Sequence, residues 1–94
     1  MTLIEIAAKL QKGLDRQPIE DSLKFDCGED GTITLANGQA QLTDAPADCT
    51  IQISSANLAK LIQGNLNPMT AFALGKIKVS GDMSVAMKLG QMLK

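Results

Sequence analysis

The chain has 94 residues, a formal net charge of −1 at pH 7, and 45% hydrophobic but only 2% aromatic residues. This charge balance and the scarcity of aromatic side chains exclude a basic nucleic-acid surface and a base-stacking platform, and leave at most transient contact with a membrane. Histidine, tyrosine and tryptophan are absent, so the usual acid–base residue and the histidine-paired nucleophiles are missing. We therefore predict a non-enzymatic domain with no cofactor and no metal site.

The length predicts one small domain over residues 1–94, near the lower limit for burying a self-sufficient core. No apolar run approaches the roughly 20 residues that span a bilayer, and the first residues lack the pattern of a signal peptide. Cys27 and Cys49 are too few for a disulfide framework or a metal site. A cytoplasmic protein with reduced thiols is expected.

The first predicted element is a helix that begins after Thr2. Thr2 and Glu5 have the spacing of a capping box, and Gln17-Pro18 ends the helix. Because the polar face mixes both charges, packing on a sheet is favoured over binding a membrane surface. Its apolar face consists of Leu3, Ile6, Ala7, Leu10 and Leu14.

Five segments alternate apolar and polar residues with the period of a strand that has one buried face. They cover residues 22–27, 32–35, 39–43, 49–54 and 76–80. Helices are predicted over residues 55–63, 68–74 and 82–94. Since every strand has one polar face, the helices must cover one side of the sheet only, which defines an α+β fold.

Asn37-Gly38 predicts a two-residue hairpin turn. Such a turn pairs Leu35 with Ala40 and Ile33 with Leu42, so that all four side chains point to one face. The turn 28–31 must also keep the apolar side chains of the first two strands on the same face of the sheet. For Phe25 to lie opposite Ile33, the connecting loop must contain an odd number of residues, which a glycine-bearing bulge would supply.

The C-terminal stretch 65–94 encodes a helix, a strand and a helix in quick succession. Asn67 is the predicted cap of the first helix, Gly75 its end, and Asp82 the cap of the second. In the last helix the polar residues Ser84, Lys88, Gln91 and Lys94 form one narrow stripe. The remaining apolar arc is roughly twice the usual 100°, so the excess must face another helix, a partner or a ligand.

Lys76 and Lys78 flank the apolar residues of the fifth strand. They could hold an anionic headgroup or the phosphates of coenzyme A. We favour the simpler interpretation, in which both lie on the solvent face of an edge strand and discourage pairing with another sheet.

The string NPMTAFALGKIKVSGDMSVAMKL resembles the C-terminal signature of the sterol carrier protein 2 (SCP2) family of lipid-binding domains. The matching positions are Asn67-Pro68, Phe72, Gly75-Lys76, Ile77, Val79, Gly81-Asp82-Met83 and Ala86-Met87-Lys88-Leu89. The likeness extends upstream through residues 48–54. The C-terminus is not a Ser-Lys-Leu peroxisomal address, which fits a short, bacterial-type, stand-alone version.

The resemblance implies a five-stranded, mostly antiparallel sheet of order 3-2-1-4-5 with helices packed on one face. In that order the connection 44–48 places the fourth strand beside the first. We predict that these two strands pair antiparallel, which makes Cys27 and Cys49 neighbouring reduced thiols within about 7 Å, the reach of a disulfide.

The resemblance also implies a non-catalytic function, the binding or transfer of a lipid in an apolar tunnel between the sheet and the helices. Ligands known for the family are sterols, fatty acids, fatty acyl-CoAs and phospholipids, with isoprenoid quinones an option for a bacterial source. The alternative is a protein-interaction module, a homodimer or an enzyme's accessory subunit, docking through the C-terminal helix. The predicted lipid-binding residues are Ile53, Leu58, Leu61, Ile62, Met69, Phe72, Ile77, Val79, Met83, Met87 and Leu89.

Overall fold

The computed structural model describes residues 1–92, and for residues 91 and 92 the backbone only. This part of the chain forms four helices and five strands. In order they are α1 (Leu3–Arg16), β1 (Leu23–Asp26), β2 (Thr32–Ala36), β3 (Gln39–Gln41), β4 (Cys49–Ile53), α2 (Ser55–Ile62), α3 (Pro68–Ala73), β5 (Ile77–Gly81) and α4 (Met83–Met92). A single 3-10 turn, Gly28–Asp30, follows β1.

The five strands form one sheet in the order β3-β2-β1-β4-β5. Three of the four neighbouring pairs are antiparallel, and β1 with β4 is parallel. The inward-facing residues of β1 and β4 are buried, and their neighbours along each strand are partly or fully exposed. The predicted α+β fold, with a mostly antiparallel sheet covered by helices on one face, is confirmed.

The hydrophobic core lies between the sheet and the helices. Helix α1 contacts α2, α4 and β3, while α4 also contacts β4 and β5, and α3 contacts β5. Two hydrogen bonds from Gln11 fix α1 over the hairpin, because its side-chain amide donates to Gly38 O and accepts from Ala40 N. The largest fully buried side chains include Ile6, Leu10, Leu23, Phe25, Ile33, Leu35, Ile51, Leu58 and Val85.

The local features read from the sequence around α1 and the hairpin are confirmed. The capping box is present, with Glu5 N donating to Thr2 Oγ1 at 3.2 Å and Thr2 N donating to Glu5 Oε1 at 3.1 Å. Asn37 has a positive φ of 54°, as the two-residue turn requires, and Leu35 pairs with Ala40.

Strand β3 is shorter than predicted. It ends at Gln41, so the expected pairing of Ile33 with Leu42 does not occur and Leu42 is exposed. The physical reason is that the chain leaves the sheet there to cross its outer face. Thr34 Oγ1 donates to Thr43 O at 2.6 Å and accepts from Ala45 N at 3.3 Å, which holds the departing chain against the sheet.

The loop between β1 and β2 contains an odd number of residues, as predicted. Asp26 pairs with Thr32, so five residues intervene, and Phe25 lies opposite Ile33. The connecting loop is not the expected bulge. It is the 3-10 turn, closed by a hydrogen bond from Cys27 N to Gly31 O at 2.9 Å.

The predicted antiparallel pairing of β1 with β4 is wrong. Leu23 lies opposite Cys49, which makes the pair parallel and places Cys27 about 13 Å further along the sheet, at 3.3 Å per residue. The two thiols are therefore not neighbours and lie beyond the roughly 7 Å reach of a disulfide. Both cysteines are free and buried.

The parallel pairing follows from the path of the connection 42–48. Strands β1, β2 and β3 alternate in direction, so β3 already runs parallel to β1. The connection crosses the outer face of the sheet over β2 and β1. Its Asp44 accepts a hydrogen bond from Lys24 Nζ at 2.8 Å. Ser22 and Asp48 then exchange backbone-to-side-chain hydrogen bonds of 3.0 and 2.8 Å, which align the starts of β1 and β4.

Candidate functional site

The region predicted to bind a lipid is built from β4, α2, α3, β5 and α4. Helix α3 begins as expected, with Asn67 Oδ1 accepting from the backbone N–H groups of Met69 and Thr70 at 2.9 and 3.3 Å. The chain then passes through Gly75, whose φ is 74°, into the edge strand β5. Helix α3 has only six residues and is held chiefly by its contact with β5.

The turn from β5 into α4 depends on Gly81. Its φ is 91°, and a Cβ atom at this position would lie 2.4 Å from Asp48 O. Glycine therefore allows the end of β5 to approach the start of β4 closely. Asp82 caps α4, since its Oδ1 accepts from Ser84 N at 2.9 Å. Helix α4 then runs back over the sheet against β4 and β5.

Helix α4 begins at Met83, one residue after the predicted start at residue 82. The last two positions of the predicted helix, Leu93 and Lys94, lie outside the described residues. Its wide apolar arc divides into two faces. Val85 and Leu89 are buried against the core, whereas Met83 is 48% and Met87 75% exposed. At 3.6 residues per turn, Met83 and Val85 point about 200° apart, so the methionines face away from the sheet.

The predicted lipid-binding residues fall into two groups. Buried in the core on the helix-covered side are Ile53, Leu58, Leu61, Ile77 and Leu89, with Ile62 and Val79 partly buried beside them. Exposed on α3 and α4 are Met69, Phe72, Met83 and Met87. The buried group forms one continuous cluster, and the exposed group occupies the two helices that contact β5.

Leu74 is an exposed apolar residue that the sequence-based list missed. It follows α3 and is 65% exposed, compared with 77% for Met69 and 48% for Phe72. Met69 and Phe72 are three residues apart and share one face of the helix. Leu74 could not be identified from the periodic pattern that was used to predict the lipid-binding residues. It is the C-cap of α3 and belongs to no periodic face.

A cleft of about 310 Å³ opens at the ends of β1 and β4, on the side where β5 begins. Asp26, Gln52 and Lys78 are paired neighbours across the outer face of the sheet and line it together with Lys76 and Ser54. Lys76 and Lys78 are exposed at the edge strand, as predicted. Ile53 and Cys27 also line this cleft, so it combines charged and apolar side chains and borders the predicted lipid-binding region at Ile53.

The charges near α4 are arranged to hold the helix in place. Lys88 forms a salt bridge with Asp21, in the loop before β1, and this hydrogen bond raises the pKa of Lys88. The hydrogen bond that Ser84 donates lowers the pKa of Asp82. Both shifts favour the charged forms, so neither group is poised to exchange a proton near neutral pH.

The two thiols are poor nucleophiles. Burial, and next to it the negative charges of Asp30 and Asp26, raise the pKa of Cys27 to about 11. Burial and then Asp82 raise the pKa of Cys49. Thiolate is the reactive form, so a higher pKa makes the thiol less reactive at neutral pH.

We therefore expect Cys27 to react with a disulfide reagent at pH 8 about 100-fold more slowly in the native protein than in the unfolded chain, from the lower thiolate fraction alone. Stopped-flow measurement of thiol release in the variant Cys49→Ala, with and without urea, tests this. Equal rates in the two states would contradict the burial and charge environment described here.

Within residues 1–92, no three His, Cys, Asp or Glu side chains come together in a way that could hold a metal ion. The helices of the same range include none that is long and apolar enough to cross a membrane. The region exposes an apolar surface. This surface includes flexible methionine side chains and lies beside a buried aliphatic cluster.

The fold and this region define a small α+β domain with one helix-covered sheet face and an apolar helical edge exposed to solvent. The profile of the SCP-2 sterol transfer family matches residues 4–94. The chain belongs to this family, and the resemblance noted in the sequence is confirmed.

Individual relatives agree with this assignment. Sterol carrier protein 2 of Gallus gallus is 43% identical over 60 residues, which cover 61% of this chain but only 11% of that protein. Sterol carrier protein 2 of Aedes aegypti, solved in complex with the C16 fatty acid palmitate, superposes with a TM-score of 0.80 at 21% identity, covering 95% and 91% of the two chains. The UbiJ-SCP2 ubiquinone synthesis protein has a TM-score of 0.69 at 20% identity, covering 96% and 90%.

Proposed function

We propose that this protein is a non-catalytic lipid carrier that takes up one hydrophobic chain between the sheet and helices α2, α3 and α4. The observation that carries the proposal is the exposure of Met69, Phe72, Met83 and Met87 beside the buried aliphatic cluster. A chain of this length has little apolar surface to spare, so leaving large apolar side chains in solvent indicates that something covers them.

The proposed lining combines the two groups of residues. Ile53, Leu58, Leu61, Ile77 and Leu89 form the inner wall, Ile62 and Val79 the margin, and Met69, Phe72, Met83 and Met87 close over the ligand. Methionine suits the closing role because its unbranched side chain adapts to different ligand shapes. Binding of this kind requires apolar surface and the exclusion of water, and no catalytic group.

The ligand class that we propose is a long acyl chain or an isoprenoid quinone. Supporting relatives are the Aedes aegypti protein, which was solved with palmitate, and the SCP2 domain of a ubiquinone synthesis protein. The name of the sterol transfer family also supports a sterol, and the sequence resemblance implies fatty acyl-CoA and phospholipid as further candidates. Each methylene buried in an apolar site contributes roughly 0.8 kcal/mol, so affinity should rise with chain length. We further propose that residues 1–94 act as a single domain in the cytoplasm.

Substitution of the exposed apolar residues tests the site. We expect Phe72→Ala or Met87→Gln to raise the Kd for a fluorescent fatty acid at least about fivefold, because each change removes apolar contact from the bound chain. The measurement is fluorescence titration of delipidated protein. Ile4→Gln is the matched control, since Ile4 is 69% exposed on α1 and lies outside the proposed lining. Equal affinities for all variants would place the ligand elsewhere.

A protein-interaction module docking through α4 is the second candidate. The observation that favours it is the outward pair Met83 and Met87, which a partner helix or a second copy could cover. Such a homodimer or enzyme partner would bury these methionines without any ligand. Sedimentation across a hundredfold range of concentration separates the candidates: a carrier stays monomeric, whereas self-docking gives a dimer that Met87→Gln dissociates.

A further inference from the structure

The cleft at the ends of β1 and β4 has two walls of opposite charge. Asp26 lines it on the β1 side, and Lys76 and Lys78 line it on the β5 side. Asp26 lies opposite Gln52, and Gln52 lies opposite Lys78, across three neighbouring strands. The backbones of Asp26 and Lys78 are therefore two strand spacings apart, roughly 9–10 Å. This separation leaves room for a polar group between the two walls.

The opposite charges of the two walls are not paired with each other. In the part of the chain that the structure describes, no salt bridge joins Asp26 to Lys76 or Lys78. Oδ1 of Asp26 accepts a hydrogen bond from Gly28 N at 2.9 Å, which fixes the carboxylate at the β1 wall. Both lysine side chains are exposed, so they can turn toward a ligand in the cleft.

The β1 wall is electronegative beyond Asp26 itself. Asp30 lies beside it in the 3-10 turn, where its Oδ2 accepts a hydrogen bond from Ser55 Oγ at 2.6 Å. Cys27 also lines the cleft, and its pKa is raised by burial and then by the charges of Asp30 and Asp26. A ligand in the cleft therefore meets negative charge on one side and positive charge on the other.

The cleft adjoins the proposed lipid-binding region at the rim of the sheet. Ile53 lines the cleft and also belongs to the inner wall of that region. It pairs with Ile77, one residue along the strands from the pair of Gln52 and Lys78. Successive residues of a strand point to opposite faces, so the charged wall and the apolar wall meet within one residue. A Cβ at Gly75, which also lines the cleft, would meet no atom within 4 Å.

We propose that this cleft receives the headgroup of a single-chain zwitterionic phospholipid, with Lys76 and Lys78 contacting the phosphate and Asp26 the ammonium. The acyl chain passes over Ile53 into the apolar region. The volume of about 310 Å³ is at the lower end for ligand pockets, which suits a headgroup better than a whole lipid. This inference rests on the proposed carrier function and narrows its ligand class.

The arrangement of charges disfavours the other candidate headgroups. Coenzyme A would bring several phosphates close to Asp26, and like charges repel. A quinone ring has no charge, so it would cover the lysines and the carboxylate without pairing them. A fatty-acid carboxylate would match the lysines and leave Asp26 unmatched. A phosphate and an ammonium joined by a two-carbon link match both walls together.

Binding of three lipids with the same palmitoyl chain to the delipidated protein tests the proposal. They are lysophosphatidylethanolamine, which is zwitterionic, lysophosphatidylglycerol, which is anionic, and monopalmitoylglycerol, which is neutral. Displacement of a fluorescent fatty acid, below the micelle concentration of each lipid, gives the affinities. We expect the zwitterionic lipid to bind at least about tenfold more tightly than the neutral lipid, and about threefold more tightly than the anionic lipid.

Charge-removing variants of the cleft should act differently on the three lipids. Lys76→Gln with Lys78→Gln should weaken binding of the zwitterionic lipid about tenfold and change binding of the neutral lipid less than about twofold. Asp26→Asn keeps an oxygen for the bond from Gly28 N. It should weaken binding of the zwitterionic lipid about threefold and strengthen binding of the anionic lipid. A general loss of structure cannot produce effects of opposite sign.

Matched variants on α1 serve as controls. Lys9→Gln with Lys12→Gln, and separately Asp15→Asn, make the same changes of charge on another exposed surface. Neither should change any of the three affinities more than about twofold, because charges far apart on the surface are largely screened. If the α1 variants change the affinities as much as the cleft variants do, the assignment of the cleft is overturned.

Free phosphoethanolamine, which has the same headgroup chemistry without a chain, distinguishes a lipid headgroup from a soluble ligand. We expect it to shift the backbone amide NMR signals of Gly28 and Ser54 with an affinity at least about 100-fold weaker than that of the lysolipid, because it buries no methylenes. Equal affinities would make the cleft a site for a soluble phosphate compound and overturn the proposal.

The same titrations separate this inference from the carrier function. If the neutral lipid binds and the zwitterionic lipid binds no more tightly, the carrier function stands and the headgroup site is overturned. If none of the three lipids binds, the carrier function fails and the headgroup site fails with it.

Discussion

Gly81→Ala should lower the free energy of unfolding by about 3–4 kcal/mol or prevent folding altogether. Two effects add at this position. The backbone φ of 91° is unfavourable for any residue with a Cβ, and that Cβ would lie 2.4 Å from Asp48 O and 3.1 Å from Cys49 Cα. Both contacts are with backbone atoms, one in Asp48 and one at the start of β4. The steric clash can therefore be relieved only if the backbone of the sheet shifts.

Gly75→Ala is the matched control for this substitution. Its φ of 74° carries a similar backbone penalty, but a Cβ there would meet no atom within 4 Å. We expect a loss of only about 1–2 kcal/mol. Urea denaturation followed by circular dichroism measures both variants. Equal losses would mean that the close approach of β5 to β4 contributes nothing, and would contradict the described geometry of this turn.

Phe25→Ala should destabilise the protein by about 3–5 kcal/mol, the usual range for removing a buried phenylalanine. Phe25 is fully buried in the middle strand of the sheet, with Ile33 and Ile51 as its paired neighbours. The cavity cannot collapse easily, because these neighbours are held by strand pairing on both sides. Denaturant titration is the measurement, and a loss below about 1 kcal/mol would contradict the position of Phe25 in the core.

The chain has two phenylalanines, and the second provides the contrast. Phe72 is half-exposed on α3, so Phe72→Ala should change stability by no more than about 0.5 kcal/mol while weakening lipid binding. Phenylalanine-to-alanine substitution should therefore reduce stability at Phe25 and reduce ligand binding at Phe72. A large loss of stability from Phe72→Ala would instead make Phe72 part of the core.

Local chemistry allowed most elements of the fold to be predicted from the sequence. Asn37-Gly38 determined the hairpin register, and Asn67 and Asp82 marked helix starts that the structure confirms. The direction of β4 was not predictable in this way. It depends on contacts of the connection 42–48 with Lys24 and Thr34, which are distant in sequence and have no periodic pattern.

The candidate site was predictable only in part. Periodicity identified the apolar positions of α4, but it could not show that Val85 and Leu89 enter the core while Met83 and Met87 face solvent. That division depends on how the helix is rotated over β4 and β5 after Gly81. Whether the exposed group closes over a ligand stays a prediction, because it concerns a molecule that the sequence does not encode.

Native mass spectrometry of the protein purified from its own source, followed by organic extraction, tests the central claim most directly. The account predicts one bound lipid or quinone per protein molecule, released on extraction and identified by its mass. The control is the same preparation after delipidation and reloading with palmitate, which should regain one ligand per chain. A protein that is empty as purified and also takes up no fatty acid after delipidation would contradict the carrier function.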